Sequence, residues 1–155
     1  MTKLPQAQSK LVRATHPLSI LVVDDEPDMV HTLAALLGDA GHVVHICTNP
    51  AFAVDAIRRV NPDVCVLDIV MPRKGGFSIA RAVWTLPLRK RPVLIAHSGV
   101  FTTPKDEIVA KAAGFDHLVR KGADPMELLT IVSQLAEQAS IHSRGTRTAV
   151  RMPPL

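Results

Sequence analysis

Short apolar runs alternate along the chain with segments in which apolar residues recur at helical spacing. The runs are bounded by turn residues and have the length of buried strands. They predict five strands, at about 19–23, 42–46, 64–67, 93–97 and 116–120. The intervening segments predict five helices, at about 27–40, 50–60, 76–86, 104–113 and 125–139. Strict alternation of this kind is typical of an α/β fold, a parallel sheet covered by helices on both faces.

Local signals support the helix starts and the strand positions. Asn49, Thr103 and Asp124 each precede a proline, the pattern of an N-cap followed by proline in the first helical turn. The runs at strands 1, 3 and 4 are almost continuously apolar, which favours central positions in the sheet, whereas strand 2 carries two histidines and suits an edge. Trp84 lies on the apolar stripe of helix 3, and we expect it in the core.

Composition fits one soluble domain and places the basic character at the ends. The chain has 155 residues, 47% of them hydrophobic, and a formal net charge of +4. Six of the 18 basic residues lie in 1–17 and 140–155, which contain no acid, so the segment between holds 12 bases against all 14 acids. We therefore expect a flexible basic leader at 1–17, a folded domain at 18–139 and a disordered basic tail at 140–155.

The same pattern argues against a membrane or secretory location and gives only a weak signal for nucleic-acid contact by the basic ends. No apolar run approaches the roughly 18 residues of a membrane span, and the first residues lack the apolar core of a secretory signal. Cys47 and Cys65 fall on predicted strands and are expected to be reduced, buried thiols of a cytoplasmic protein. The basic ends have no interleaved aromatic residues, so nucleic-acid binding is not expected.

Acidic residues follow two of the apolar runs. Asp24 and Asp25 come directly after strand 1, and Asp68 ends strand 3. The carboxyl ends of parallel strands are where open α/β sheets bind ligands. If the two strands are neighbours, the carboxylates converge, and such crowded like charges favour a bound cation. Oxygen ligands of this kind predict Mg²⁺.

The motifs in combination resemble the receiver domain of two-component response regulators, the chemotaxis-type family. The resemblance covers roughly residues 19–139. It rests on five pieces in order, which are Val-Val-Asp-Asp-Glu-Pro, Leu-Asp-Ile-Val-Met-Pro with Gly76 beyond it, Ala-His-Ser-Gly, Gly-Phe-Asp-His and Val-Arg-Lys. It implies a flavodoxin-like doubly wound sheet of five parallel strands in the order 2-1-3-4-5.

The resemblance also implies roles for individual residues. Asp68 would accept a phosphoryl group, and Ser98 and Lys121 would each bind a phosphoryl oxygen. Mg²⁺ would be held by four groups: Asp25 directly, Asp24 through water, Asp68, and the backbone carbonyl of Val70. In the 2-1-3-4-5 order strands 1 and 3 adjoin, which fits the predicted convergence, while Cys47 and Cys65 lie two strands apart, too far for a disulfide.

The resulting hypothesis is a stand-alone phosphorylation switch rather than a turnover enzyme. A histidine kinase or phosphotransfer protein would donate to Asp68, and a surface on helix 4, strand 5 and helix 5 would contact a target protein or a second copy of the chain. The alternative is an interaction module that works without phosphorylation. Two departures from the family pattern favour that alternative: Gly122 replaces the usual proline and Leu118 replaces the usual aromatic residue.

A shifted register would put His97 in place of Ser98, but Ser98-Gly99 fits better.

Overall fold

The structure is a computed structural model, and it describes residues 13–101 and 103–145. Strands and helices alternate along this part of the chain, as the apolar pattern predicts. In chain order the elements are β1 Ser19–Val23, α1 Pro27–Asp39, β2 Val43–Cys47, a short 3-10 turn Pro50–Phe52, α2 Ala53–Val60, β3 Val64–Asp68, α3 Gly76–Thr85, β4 Val93–Ser98, α4 Pro104–Ala112, β5 His117–Arg120 and α5 Pro125–Gly145.

The five strands form one parallel sheet in the order β2-β1-β3-β4-β5. The predicted flavodoxin-like order is therefore confirmed, with β2 at one edge and β5 at the other. The register pairs Val23 with Leu67 and Asp68 with His97. Because every strand runs the same way, all five carboxyl ends lie at one edge of the sheet.

Each face of the sheet has its own hydrophobic core. Along β3, Cys65 and Leu67 face a core completed by α2, α3 and α4, while Val64 and Val66 face a core completed by α1 and α5. Alternate side chains of a strand point to opposite faces, so a strand buried on both faces needs an unbroken apolar run. This is the physical reason for the apolar pattern of the central strands.

Helix α5 is longer than the sequence pattern predicts. It continues from Pro125 to Gly145, so the predicted disordered tail is wrong for residues 140–145. Apart from Ile141 the segment 140–144 is polar, but it contains neither glycine nor proline, so nothing in it interrupts the helix. Side chains reinforce the last turns, since Ser143 Oγ donates to the Ser140 carbonyl. Residues 146–155 of the predicted tail lie outside the described residues.

Other expectations need smaller corrections. Helix α2 begins at Ala53, because Asn49 caps a 3-10 turn instead of the α-helix itself. Most of the predicted leader lies outside the described residues, but the Ala14 amide donates to the Ala40 carbonyl over 2.9 Å, which attaches the end of the leader to α1. Trp84 is not a core residue, since it is 54% exposed.

The two cysteines lie on strands, as the sequence predicts. Cys47 and Cys65 are both buried and both free. Within residues 13–101 and 103–145, none of the helices has the combination of length and apolar character that crossing a bilayer requires.

Candidate functional site

Three carboxylates meet at the carboxyl edge of the sheet. Asp24 and Asp25 follow β1 and Asp68 ends β3, and because these strands are neighbours, the three residues place carboxylate oxygens within 4.8 Å of one another. Asp24 and Asp68 are buried, whereas Asp25 is partly open to solvent. Three acidic groups this close strongly disfavour full ionisation unless cations lie among them.

One cation of the chain itself lies in the cluster. Lys121 follows β5, and its Nζ lies 2.8 Å from Asp24 Oδ2 and 3.0 Å from Asp68 Oδ2. Glu26 Oε1 is also near, at 3.7 Å. Burial alone would lower the pKa of Lys121, but its contacts with the two aspartates outweigh burial and leave that pKa raised. The ammonium is therefore charged at neutral pH.

Backbone amides hold the second oxygen of each buried aspartate. The Glu26 amide donates to Asp24 Oδ1 over 3.0 Å, and the Val70 amide donates to Asp68 Oδ1 over 3.1 Å. Burial raises the pKa of Asp68, the Lys121 and Val70 hydrogen bonds oppose that rise, and the charge of Asp24 adds to it, with a net increase. Asp68 is thus fixed in position, but its ionised form is disfavoured. A further cation nearby would favour that form.

The loop after Asp68 passes very close to the strand end. A Cβ at Gly76 would collide with the Asp68 carbonyl oxygen, so only glycine fits there. The Gly76 amide donates to the Ile69 carbonyl over 3.0 Å. Val70, whose carbonyl the resemblance assigns to the metal, lies in this loop with its side chain exposed.

Ser98 ends β4 and connects the site to the following loop. Its side chain is fully buried, and its Oγ accepts hydrogen bonds from the amides of Val100 at 3.2 Å and Phe101 at 3.3 Å. Its carbonyl accepts from the Lys121 amide over 2.9 Å. The hydroxyl and the lysine are therefore joined through one backbone contact between β4 and the end of β5.

His97 is a buried neighbour of the site for which sequence reasoning offered only a shifted register. It pairs with Asp68 in the sheet, and its Nδ1 has no hydrogen-bond partner among the described residues. Burial, with a smaller contribution from the charge of Lys121 and against the effect of Asp24, lowers its pKa to about 4. His97 is therefore neutral at physiological pH.

The two departures from the family pattern lie in different surroundings. Gly122 has φ of +78°, a left-handed conformation that glycine adopts at low cost, with open space where a Cβ would stand. Leu118 lies on β5 beside a cavity of about 280 Å³ between α4 and α5. Phe101 also lines this cavity and stacks edge to face on Phe77, with ring centroids 5.4 Å apart.

Sequence reasoning had assigned no role to several groups that the structure brings to the site. Glu26 directly follows the acidic pair, and its nearness to Lys121 could have been expected from that position. The amides of Val100 and Phe101 carry no sequence signal, because any residue provides them.

Comparison with known proteins identifies the family. The family model described as the response regulator receiver domain matches residues 20–133. The chain therefore belongs to the response regulator receiver family, whose members are modules of two-component signalling systems.

Individual relatives differ in how much of them the chain spans. It is 33% identical over 117 residues to the protein of Leptolyngbya boryana called "Uncharacterized 14.6 kDa protein in sodA1 3'region", covering 76% of this chain and 88% of that protein. It is 29% identical over 143 residues to a protein-glutamate methylesterase/protein-glutamine glutaminase 1 of Pseudomonas savastanoi, but the match, 88% of this chain, spans only 39% of that protein.

Solved structures support the fold. The chemotaxis protein CheY4 of Vibrio cholerae superposes with a TM-score of 0.70 at 24% identity, covering 77% of this chain and 98% of that one.

Proposed function

We propose that Asp68 accepts a phosphoryl group and that the chain works as a phosphorylation switch. The observation that carries the proposal is the contact of Lys121 Nζ with both Asp68 and Asp24 inside a cluster of three carboxylates. An ammonium fixed beside a carboxylate nucleophile is placed to neutralise charge on an incoming phosphoryl group.

The residues also fit Mg²⁺, because their donor atoms are carboxylate oxygens. The raised pKa of Asp68 fits a cluster that needs a further positive charge. Asp25 and Asp68 would bind the ion directly, Asp24 would bind it through water, and the Val70 carbonyl would complete the protein ligands. When bound, the ion would neutralise charge on the phosphoryl oxygens.

The proposed reaction is an in-line transfer to Asp68. The donor is a phosphohistidine on a histidine kinase or a phosphotransfer protein. An Asp68 carboxylate oxygen forms a bond to phosphorus while the bond from phosphorus to the imidazole nitrogen breaks, and that nitrogen keeps the electron pair and takes up a proton. Lys121 and the Ser98 hydroxyl each bind one phosphoryl oxygen, so positioning and electrostatics supply the catalysis.

A change in the hydrogen bonds of Ser98 would carry the effect of phosphorylation from Asp68 to the surface. Its Oγ now accepts from the amides of Val100 and Phe101, and its hydroxyl would turn to donate to the phosphoryl oxygen. A shift of this loop would move Phe101 within the cavity beside Leu118. The proposed output is therefore a loop and backbone shift at the surface of α4, β5 and α5, which contacts a target protein or a second copy of the chain.

This role is that of a switch, not a turnover enzyme. The methylesterase relative is a longer protein, and its activity is a property named for that protein.

The free, buried thiols of Cys47 and Cys65 fit a reducing compartment, and we place the chain in the cytoplasm.

The test is labelling with a small phosphodonor, acetyl phosphate, followed by intact mass measurement. We expect the mass of one added phosphoryl group with Mg²⁺ present, removal of that mass by hydroxylamine, and none in Asp68→Asn. Asp55→Asn, which changes an exposed aspartate on α2, is the matched control and should label normally.

The absence of label in the wild-type chain with Mg²⁺ would contradict the proposal. It would favour an interaction module that works without phosphorylation, the alternative that Gly122 and Leu118 support.

A further inference from the structure

A second surface feature lies away from the acidic cluster, in the groove between α3 and α4. The groove has a cavity volume of about 610 Å³, within the range of ligand sites. Its walls carry Phe77 and Trp84 from α3 and Val109 from α4. Trp84 is 54% exposed and Val109 is 49% exposed, so the lining presents large apolar side chains to solvent.

Trp84 is held in a fixed position on this groove. A Cβ at Gly114 would collide with the indole nitrogen, so the ring lies directly against the backbone there. On the ring, the Arg91 guanidinium carbon lies 3.2 Å from the centroid, a cation–π contact. Arg91 is held in turn by Asp116 at 3.6 Å. A rigid, exposed tryptophan loses little entropy on binding, which is why tryptophan is enriched at binding hot spots.

The rim of the groove is basic. Arg81 and Lys111 line it, and Arg91 lies beside it on Trp84. Lys111 pairs with Glu107 and Arg91 with Asp116. Arg81 is exposed and has no carboxylate within ion-pair distance among residues 13–101 and 103–145. The groove therefore offers apolar surface with one uncompensated positive charge.

We propose that this groove docks a partner protein through a segment that combines acidic with aromatic or aliphatic side chains. The apolar side chains would pack on Trp84 and Val109, and a carboxylate would pair with Arg81. Helix α3 has ten residues, about 15 Å at the rise of an α-helix, which is enough for two to three turns of a docked helix. The proposal goes beyond the phosphorylation switch and does not depend on Asp68.

Charge distinguishes an acidic partner segment from the other candidate occupants of the groove, which are the chain's own ends, a second copy and nucleic acid. The chain segments 1–12 and 146–155 carry basic residues and no acid, so they would be repelled by Arg81. A second copy placed face to face would bring two basic rims together. Nucleic acid needs several free cations, whereas two of the three here are already paired with carboxylates.

The experiment is selection of short random peptides, displayed on phage, against the unphosphorylated full chain. We expect enriched peptides to combine Asp or Glu with Leu, Phe or Trp. Synthetic peptides without tryptophan should shift the emission of Trp84, the single tryptophan of the chain. Asp68→Asn should bind them unchanged, which distinguishes this site from the proposed function.

Matched variants locate the binding. Arg81→Glu should weaken binding about tenfold, whereas Arg58→Glu, an exposed charge reversal on α2, should not. Val109→Ser should weaken binding several-fold, whereas Ile108→Ser, at a neighbour that is 69% exposed and outside the groove, should not.

In the peptide experiments, any of four results would overturn the proposal: no enriched peptide, enrichment of basic peptides, binding insensitive to Arg81 and Val109, or displacement of the peptides by duplex DNA. Self-association of the chain that Arg81→Glu abolishes would replace the acidic partner with a second copy and would also overturn it.

Discussion

At the scale of single residues, the site consists of groups that are costly by themselves and compatible only together. Asp24 and Asp68 are buried acids, and Lys121 is a largely buried base. Removing Lys121 would leave two buried acids unpaired, and removing both acids would leave the ammonium unpaired, and an unpaired buried charge costs several kcal/mol. The net negative charge that remains is the reason a divalent cation fits.

His97 gives a prediction at this scale. Its pKa in the fold is about 4, below the unfolded value of 6.5, so the unfolded chain binds the proton first. Its contribution to stability is complete above pH 6.5 and is lost as the pH falls toward and through 4. We expect the wild-type chain to lose about 3 kcal/mol more than His97→Val between pH 7 and pH 4.

The measurement is urea unfolding of both proteins across that pH range in buffer without metal. Asp68 and Lys121 are present in both chains, so the difference between the two curves isolates His97. Parallel curves would mean that the histidine is solvated in the fold.

At the scale of elements, the strands and the helix starts other than that of α2 were predictable because their signals are local. An apolar run that ends at Asp68, or a threonine before Pro104, needs no knowledge of the rest of the chain. Thr103 and Asp106 indeed cap each other at the start of α4. The meeting of the carboxylates could be predicted only with the strand order that the family resemblance implies, because that order places the ends of β1 and β3 together.

Two features were missed, and one of them depends on distant partners. Trp84 fits a core stripe within α3, but its neighbours are Gly114 and Arg91, and no pattern in α3 reveals them. The last turns of α5 were missed because polar residues resemble a tail, although nothing before Gly145 breaks the helix.

Gly114 gives a prediction at the element scale. Its φ is +103°, and an added Cβ would collide with Trp84. Gly114→Ala should therefore destabilise the fold by about 2 kcal/mol and shift the Trp84 emission. The matched control is Gly38→Ala in α1, where a Cβ meets nothing within 4 Å, and this change should stabilise the fold by about 0.5 kcal/mol.

Thermal unfolding followed by circular dichroism compares the two variants with wild type. An unchanged Trp84 emission in Gly114→Ala would show that the indole is not fixed on Gly114, because the strain of φ at +103° contributes to the loss of stability in either case.

At the scale of the whole molecule, the carboxyl edge of the sheet collects the acidic cluster, Lys121 and Ser98, while the α3–α4 groove lies on a lateral surface. The two regions have different chemistry, since one is acidic and polar and the other is apolar with a basic rim. The effect of a substitution in the acidic cluster can therefore be measured with the α3–α4 groove as an internal reference, and the reverse also holds.

Binding of Mg²⁺ gives the prediction at this scale. A ligand that binds only the folded state at 100 times its Kd stabilises by about 2.7 kcal/mol. We expect Mg²⁺ to raise the Tm of the wild-type chain and to leave Asp25→Asn nearly unchanged, since that variant loses a proposed direct ligand. The measurement is differential scanning calorimetry with and without the ion, and Na⁺ at matched ionic strength is the control. An equal rise in both proteins would place the ion elsewhere.

The span of the acidic cluster along the chain has a consequence for biosynthesis. Its carboxylates come from the first and third strands, and its ammonium follows the fifth, so no early fragment contains all of them. A nascent or truncated copy carries the Asp68 carboxylate without its counter-charge. Under the proposed function, competence for phosphoryl transfer would therefore report that synthesis and folding of the sheet are complete, and unfinished copies would not accept a phosphoryl group.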